Sequence, residues 1–307
     1  MKKTLLLLCV VSLLVCACSR SDTSTQDMEI VNEPSLADNA TVPAANIPAF
    51  EPETPPINTQ EKPIHTDDFD LEGQNYSVQY WNKGEFDYTR FAIMKKGNIV
   101  FDSQKQGITF EGGAGGQTDG EPWSTSLVYN HHAAFLFELV DNRPGPSVIL
   151  IEEIDGEMKV TVQDNVELYF DQAKGDPLLF GFPSYGQIPL FPALIAVYVW
   201  QSDHYEASAA LTTQYWEEKL DNRQVSFEKE PDDMRLDSLL SAYLLLNRIE
   251  EGTQWLDEYS QNNHSADNEY LQTYKDYLND DKMVDEARYE HWVDNLPPLA
   301  NPSRRGN

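Results

Sequence analysis

The opening segment, up to Cys18, constrains most strongly what the rest of the chain can become. Two lysines come first, an apolar run with one serine covers residues 5–15, and Ala17 stands directly before Cys18. A basic head, an apolar run of about 7–15 residues and a small residue at the exit are typical of a secretory signal. A membrane-spanning helix needs about 20 apolar residues, so this run is too short. We therefore expect residues 1–17 to be a signal peptide that is removed on export.

This segment ends with Val15-Cys16-Ala17-Cys18. That sequence resembles the lipobox of bacterial lipoproteins, in which an aliphatic residue, a small residue and Ala or Gly precede the acylated Cys. The resemblance implies cleavage before Cys18, a thioether-linked diacylglycerol on its sulfur and acylation of the new amino terminus. Cys16 is the competing acceptor, although the β-branched Val15 before it fits the small site poorly. An ordinary cleaved signal with an incidental cysteine is the alternative.

The residue after the lipobox bears on location. Ser19, not Asp, follows Cys18, and by resemblance to the sorting rules of Gram-negative lipoproteins this implies export to the outer membrane. Each buried CH₂ group of an acyl chain contributes about 0.8 kcal/mol, so two or three chains on Cys18 make a stable anchor. We predict a lipid-anchored protein of the cell envelope whose first partner is the membrane, reached through these acyl chains.

Composition removes several classes of function. The cysteines are Cys9, Cys16 and Cys18, so the processed chain would form neither a disulfide nor a thiolate metal site. The formal net charge is −29, and loss of Lys2 and Lys3 with the signal leaves 20 basic against 51 acidic residues, a balance of −31. Such a surface repels phosphates, so we predict no nucleic-acid partner. The acidity suits a cationic partner, and it also favours solubility.

Residues 18–68 differ in composition from the rest of the mature chain. Phe50 is the one Phe, Tyr or Trp between residues 19 and 68, and seven prolines interrupt the segment. Such a chain buries too little apolar surface to offset the entropy of ordering. We predict a disordered tether of about 50 residues with local polyproline stretches, spanning on the order of 40 Å root-mean-square. It would hold the folded part off the membrane.

Residues 69–208 have the pattern of an antiparallel β-domain. Residues 75–81 alternate apolar and polar side chains, as a half-buried strand does, and Lys96-Gly97-Asn98 is a hairpin signal between two strand-like runs. Further short runs follow, bounded by turn signals at intervals of about 8–12 residues. The additional strands are predicted at residues 126–129, 133–140, 147–151, 158–162, 166–170 and 194–200.

Two loops in this domain carry a second resemblance. One contains Asp141 and Asn142 and the other contains Asp171 and Asp176, and each leads through a polar turn into apolar residues. The segment that contains both loops, residues 126–220, resembles the VCBS or FG-GAP-like repeat proteins, which are extracellular modules of the β-propeller type. Blades of that family carry Asp-rich calcium loops, so the resemblance implies blade-like sheets and places the calcium candidates at these four residues.

The same loops are short of oxygen ligands. A calcium ion takes six to eight oxygens, many of them from carboxylates. Arg143, Gln172 and Lys174 stand where further acids would be needed. We therefore predict no bound calcium, no other metal and no cofactor.

Residues 209–298 show helical periodicity. Leu211, Tyr215 and Leu220 are spaced for one helix face. We expect short antiparallel helices that pack on the β-domain or on each other, followed by a frayed tail at residues 299–307. The fold class is therefore α+β. The other stretches with helical spacing are residues 236–249, 255–259, 270–278 and 283–292.

Familiar catalytic motifs are missing. Ser184 lies one residue too far from Gly181 for the Gly-x-Ser-x-Gly elbow of hydrolases. The glycine-rich segment 110–120 lacks the Gly-Lys-Ser/Thr ending of a phosphate-binding loop, so we interpret it as a flexible loop.

Three pairs of adjacent titratable residues need an interpretation. Neighbouring side chains of a strand point to opposite faces, so His131 and His132 would not converge on one metal unless they lie in a turn. Glu152-Glu153 and Asp280-Asp281 are interpreted as solvated charge. Among 51 acidic residues, no pair stands out as a glycosidase pair.

Three hypotheses for function remain. The first is a non-enzymatic envelope lipoprotein whose folded domain binds another envelope protein or a glycan. The second is a hydrolase of glycan or cell wall, which predicts two carboxyls facing each other across a cleft, one with a raised pKa. The third is a structural subunit of an envelope assembly, which predicts a contiguous apolar patch on the helices.

Overall fold

The computed structural model describes residues 62–82, 86–108, 110–116, 120–140, 147–172, 176–182, 190–262, 269–280 and 284–302. All of these residues belong to one compact unit, Asn58–Asn307. The predicted signal, the lipobox and nearly all of the predicted tether lie outside the described residues. The described part confirms the α+β class, with three antiparallel sheets followed by four α-helices.

The first sheet is a meander in sequence order. Two-residue turns join its outer pairs, and all four turn residues, Glu72-Gly73 and Lys96-Gly97, have positive φ, as such turns require. The hairpin predicted at Lys96-Gly97-Asn98 is confirmed. The strands are β1 (His65–Leu71), β2 (Gln74–Trp81), β3 (Arg90–Lys95) and β4 (Asn98–Asp102).

The predicted end of the tether at residue 68 falls inside β1. Residues 65–68 pair with β2 and belong to the folded unit. β1 is an edge strand that packs Phe69 and Leu71 against the core, while Asp68 and Asp70 are exposed on its other face. Asp67 lies on the inner face, where its carboxylate accepts from the Trp123 amide at 2.8 Å. An edge strand with so few apolar residues has a composition close to that of a linker, which explains the error.

The second sheet has five strands around a long central hairpin of β7 and β8. β5 and β6 both pair with β7, at residues 139–140 and 132–136 respectively. β5 lies within the glycine-rich segment, which is therefore partly a strand and not only a loop. The strands are β5 (Gly112–Gly113), β6 (Thr125–Tyr129), β7 (His132–Val140), β8 (Ser147–Ile154) and β9 (Glu157–Asp164).

The third sheet is again an antiparallel meander. Its strands are β10 (Glu167–Asp171), β11 (Leu178–Phe182), β12 (Ala196–Gln201) and β13 (His204–Ala207).

The second sheet lies between the other two. On β7, Phe135 and Phe137 join one apolar cluster with the first sheet, whereas Leu136 joins another with the third sheet and the helices. Successive strand residues point to opposite faces, so β7 and β8 are apolar on both faces and form nearly continuous hydrophobic runs. Each fully buried Leu, Ile or Phe contributes about 1.5–3 kcal/mol.

Helices cover the outer face of the third sheet. Ser208 caps the first helix, and its hydroxyl accepts from the Leu211 amide at 3.4 Å, so the predicted boundary between residues 208 and 209 coincides with the helix start. The Thr212 hydroxyl accepts from the Val197 amide of β12 at 2.9 Å and fixes this helix on the sheet. The helices are α1 (Ala209–Lys229), α2 (Asp233–Leu245), α3 (Ile249–Asn262) and α4 (Glu269–Leu278).

The helix predicted at residues 283–292 is wrong for its described part, which has only a 3-10 turn, Glu286–Arg288. Turns follow it, and Trp292 Nε1 donates to the carbonyl of Leu245 at 2.9 Å. Anchoring this indole in the helical core sets the chain path here. No helix in the described ranges is long and apolar enough to cross a membrane.

The predicted frayed tail is also wrong for residues 299–302. Leu299 is buried, and its amide donates to the carbonyl of Tyr205 on β13 at 2.9 Å. The carbonyl of Ala300 accepts from Gln163 on β9 at 2.9 Å, and its amide donates to Asp164 Oδ2 at 2.7 Å. The segment therefore joins edge strands of the second and third sheets. Residues 303–307 lie outside the described residues.

Candidate functional site

Two of the four calcium candidates line one pocket. Asp171 at the end of β10 and Asp176 before β11 border a pocket of about 380 Å³ between this hairpin and α1, which we call the α1 pocket. Asp141 and Asn142 lie outside the described residues. The lining residues are Asp171, Asp176, Leu178, Leu211, Gln214, Tyr215, Glu218, Lys219 and Asn222.

Strand register and helix periodicity build the α1 pocket. Asp171 lies opposite Leu178 in the β10–β11 pair, so both side chains share one sheet face. That face meets α1, because the Phe180 ring lies 4.5 Å from the Tyr215 ring. On α1, residues 211, 215 and 218 are spaced by one turn each and point the same way.

The α1 pocket combines an apolar floor with charged groups. Leu178, Leu211 and Tyr215 are half-buried. Lys219 Nζ lies 5.0 Å from the centroid of the Tyr215 ring, the geometry of a cation–π contact. The described lining carries the carboxylates of Asp171, Asp176 and Glu218 and the ammonium of Lys219.

Tyr169 lies on the same face of β10 as Asp171, beside the α1 pocket. The pKa of Tyr169 is raised mainly by burial, then by the interaction and hydrogen bond with Tyr215, and least by the charges of Asp171 and Glu167. No group of three or more His, Cys, Asp or Glu side chains is arranged to hold a metal ion in the part of the chain that the structure describes.

A second cluster centres on Glu152, whose interpretation as solvated charge is wrong. Glu152 is 1% exposed. The Tyr205 hydroxyl lies 2.8 Å from both of its carboxylate oxygens, and His132 Nε2 lies 3.1 Å from Oε1. Burial, and then the charge of Glu152, raises the pKa of Tyr205, so its hydroxyl stays protonated and can donate. The two donors offset the cost of burying this carboxylate between the second and third sheets.

Glu153 points to the other face of β8, towards the first sheet. Its carboxylate accepts from the Tyr76 hydroxyl and pairs with the Lys95 ammonium. Burial opposes ionisation, but the hydrogen bonds from Lys95 and Tyr76 outweigh it and lower the pKa of Glu153 below its ordinary value. Glu152 and Glu153 therefore lie on opposite faces of one strand and do not converge on one site.

The adjacent histidines lie at the β6–β7 hairpin. Asn130 and His131 form its two-residue turn with φ of 49° and 67°. His131 is exposed, whereas His132 begins β7 and contacts Glu152. Both border a small pocket of about 210 Å³ together with Glu153. Of the two histidines, His131 lies in a turn, whereas His132 lies in β7 and contacts the buried carboxylate of Glu152.

Three glycines of the glycine-rich segment, Gly112, Gly113 and Gly115, lie against aromatic side chains. A Cβ placed on Gly113 would lie 2.0 Å from the buried Tyr88 ring. The adjoining pocket of about 250 Å³ contains Glu121 and Glu138, and no lysine or arginine contributes to its described lining. Two carboxylates disfavour phosphate there, in agreement with the missing phosphate-loop ending.

The remaining sequence candidates carry no described site. Ser184 and Asp281 lie outside the described residues, and Asp280 is exposed after α4. Sequence reasoning did not select Glu218 or Tyr215 as site residues, although the helical spacing of Leu211 and Tyr215 places both on one face of α1. No local signal connects them to Asp171, which is about 45 residues away in the chain.

Comparison with known proteins finds no matching family model and no match among curated proteins or solved structures. The resemblances to lipoproteins and to VCBS or FG-GAP-like repeat proteins therefore stay predictions.

Proposed function

We propose that the protein is a lipid-anchored component of the cell envelope, held in the outer membrane by acyl chains on Cys18. Its folded unit binds another envelope component without catalysing a reaction. The lipobox-like Val15-Cys16-Ala17-Cys18 and Ser19 support the location. The observation that carries the binding role is the α1 pocket, of about 380 Å³. Ligand pockets commonly have volumes of about 300–1,000 Å³, apolar walls and a few placed polar groups.

The hydrolase hypothesis gains less support from the same residues. A glycosidase needs one carboxyl that stays protonated as a general acid and a second one facing it. Glu152 and Glu153 are on opposite faces of β8, and the lowered pKa of Glu153 favours its ionised form. The α1 pocket also brings carboxylates of the β10–β11 hairpin and of α1 together, so one set of variants tests binding and hydrolysis at that pocket.

The assembly hypothesis predicts a contiguous apolar patch on the helices. Within the described helices, the exposed large apolar residues are Val225 on α1 and Met234 on α2. Two side chains fall short of the patches of about 300–600 Å² that mark interaction surfaces. This hypothesis therefore ranks third.

The proposal is tested by affinity capture with the mature lipoprotein in detergent. Envelope extract is passed over the wild-type protein, an Asp171→Asn/Glu218→Gln variant and an Asp221→Asn variant, which removes an exposed α1 acid outside the pocket. We expect a partner that the wild type and Asp221→Asn capture and the double variant loses. Hydrolysis of a wall polymer that the double variant loses, with no captured partner, would refute the proposal.

A further inference from the structure

The last described residues lie along a seam between two sheets. β9 is an edge strand of the second sheet, and β13 is an edge strand of the third. The Leu299 amide donates to the carbonyl of Tyr205 on β13, and the Ala300 carbonyl accepts from the Gln163 amide on β9, both at 2.9 Å. We call residues 299–302 the strap, and we call the seam of β9 and β13 that they occupy the strap groove.

The contacts of the strap are those of an extended peptide bound to sheet edges. Its backbone bonds to an edge strand on either side, and Leu299 is 3% exposed and packs into the cluster of the third sheet and the helices. The Ala300 amide donates to Asp164 Oδ2, and Asn301 Nδ2 donates to the Asp203 carbonyl, both at 2.7 Å. Sheets bind extended peptides through this combination of backbone bonds at an edge and a pocket for a side chain.

An exposed linker joins the strap to the core. Pro297 and Pro298 are exposed, and a proline has no backbone N–H to donate. Before them, Leu296 packs on the core cluster and the Trp292 indole is bonded within the helices. These contacts do not involve the strap, so it can leave the groove as a local opening of a terminal segment while Trp292 stays in place.

Departure of the strap exposes groups that need a partner. The Tyr205 carbonyl and the Gln163 amide each lose a hydrogen bond, and the site of the Leu299 side chain opens to water. Unpaired backbone groups along a sheet edge are a template for another extended chain. The formal net charge of −29 repels an acidic segment and also a second copy of this chain, so the segment that fits is neutral or basic.

We propose that the strap is a displaceable, autoinhibitory occupant of the strap groove, and that the groove binds an extended segment of a partner protein. This segment is neutral or basic and carries an apolar side chain in the place of Leu299. The strap groove shares no residue with the described lining of the α1 pocket, so the inference goes beyond the binding role proposed for that pocket.

Hydrogen exchange of the mature wild-type protein in detergent tests whether the strap opens by itself. The amides of Leu299 and Ala300 should exchange at least about a hundredfold faster than those of the central strand β8, because local opening needs less free energy than global unfolding. Exchange of the two amides as slow as that of β8 would overturn the inference, because the strap would then leave only when the whole unit unfolds.

Fluorescence anisotropy tests whether the groove accepts a separate chain. The labelled probe has the sequence of residues 295–302, Asn-Leu-Pro-Pro-Leu-Ala-Asn-Pro, and the control peptide has Asn in place of the second leucine. The full-length mature Leu299→Asn variant, whose own strap is weakened, should bind the probe at least about tenfold more tightly than the wild type does. It should bind the control peptide at least about tenfold more weakly than the probe, because no leucine is buried.

Two double variants locate the site. Adding Asp164→Ala to Leu299→Asn should weaken probe binding about tenfold, because the charged acceptor of the Ala300-type amide is lost. Adding Asp171→Asn, in the α1 pocket, should change probe binding less than about twofold, because distant sites act independently. Circular dichroism spectra that match the wild type show that these variants fold, and the exchange measurement needs no variant.

Four results would overturn the inference. Three are absence of probe binding to Leu299→Asn, equal binding of the two peptides, and equal losses from Asp164→Ala and Asp171→Asn. The fourth is a concentration-dependent dimer of the wild type that Leu299→Asn does not form, which would assign the groove to a second copy. Loss of partner capture by the α1-pocket variants bears only on the function proposed above.

Discussion

Replacing Tyr205 with Phe removes the hydroxyl that contacts both carboxylate oxygens of Glu152 and leaves the ring in place. A hydrogen bond to a charged group contributes about 1.5–3 kcal/mol, and a buried acceptor without its donor costs about 1–3 kcal/mol. Glu152 is 1% exposed, so water does not replace the lost donor, although His132 still reaches one oxygen. We expect the free energy of unfolding to fall by about 2–3 kcal/mol.

Tyr129→Phe is the matched control. Tyr129 is also a buried tyrosine, and its ring lies 6.3 Å from that of Tyr205, but its hydroxyl donates to a neutral carbonyl at the long distance of 3.4 Å. Its loss should cost under about 1 kcal/mol. Urea unfolding measures the loss of unfolding free energy in both variants. In a thermal melt, the midpoint of Tyr205→Phe should fall by about 4–12 °C. Equal destabilisation by the two variants would refute the role assigned to the Glu152 contact.

Three further predictions concern other contacts. Lys95→Met should raise the pKa of Glu153, because an ammonium donor is lost, and NMR titration measures this change. The pKa of Glu153 in the folded protein is depressed, so the stability that this contact provides is present at neutral pH and disappears as the pH falls below about 4. Gly113→Ala should destabilise the unit by about 3 kcal/mol in urea unfolding, because its Cβ would overlap the Tyr88 ring. Deleting residues 299–307 should cost about 3 kcal/mol through the loss of buried Leu299 and its backbone bonds, whereas deleting residues 303–307 should change stability by less than about 0.5 kcal/mol.

Each of these has a contradicting result. An unchanged Glu153 titration in Lys95→Met would mean that the pair does not form in solution. If Gly113→Ala unfolded at the same urea concentration as the wild type, the close approach of Gly113 to the Tyr88 ring would be contradicted. Equal stability of the two truncations would show that residues 299–302 are not held between the sheets.

Local signals in the sequence located most of the secondary structure. Two-residue turns such as Lys96-Gly97 and Asp155-Gly156 place residues with positive φ between β-type runs, so the hairpins carry their own signal. Helical spacing likewise locates α2 and α4 to within a few residues. It is wrong at the start of α3, which begins at Ile249, inside the stretch predicted as the preceding helix, and continues through Gly252, where a break was expected. The α+β class follows from the change from one period to the other at Ala209.

Features that depend on distant partners were not predictable in this way. Glu152-Glu153 looks like ordinary surface charge, and Tyr205, which contacts Glu152, is 53 residues further along the chain. Leu299 is a single apolar residue after two prolines, and its hydrogen-bond partner also lies far away, at Tyr205. The edge strand β1 was not predicted for a related reason: one of its faces is exposed and needs no apolar side chains, so its sequence lacks a clear strand pattern.

The sequence predicted only part of the candidate site, namely its loop residues. Asp171 and Asp176 stood out as loop acids, and the shortage of neighbouring acids argued against calcium. Their proximity to Glu218 depends on how α1 packs on the third sheet, through Phe180 and Tyr215, and no local pattern encodes that contact.

The membrane anchor is the claim on which the proposed location depends, and fractionation of cysteine variants tests it most directly. Cys18→Ala and Cys16→Ala proteins are expressed with the wild type, and membrane and soluble envelope fractions are compared after processing. We predict that Cys18→Ala is released from the membrane and that Cys16→Ala stays with it, as the wild type does. A fully processed Cys18→Ala protein that remains membrane-bound would contradict the lipoprotein account.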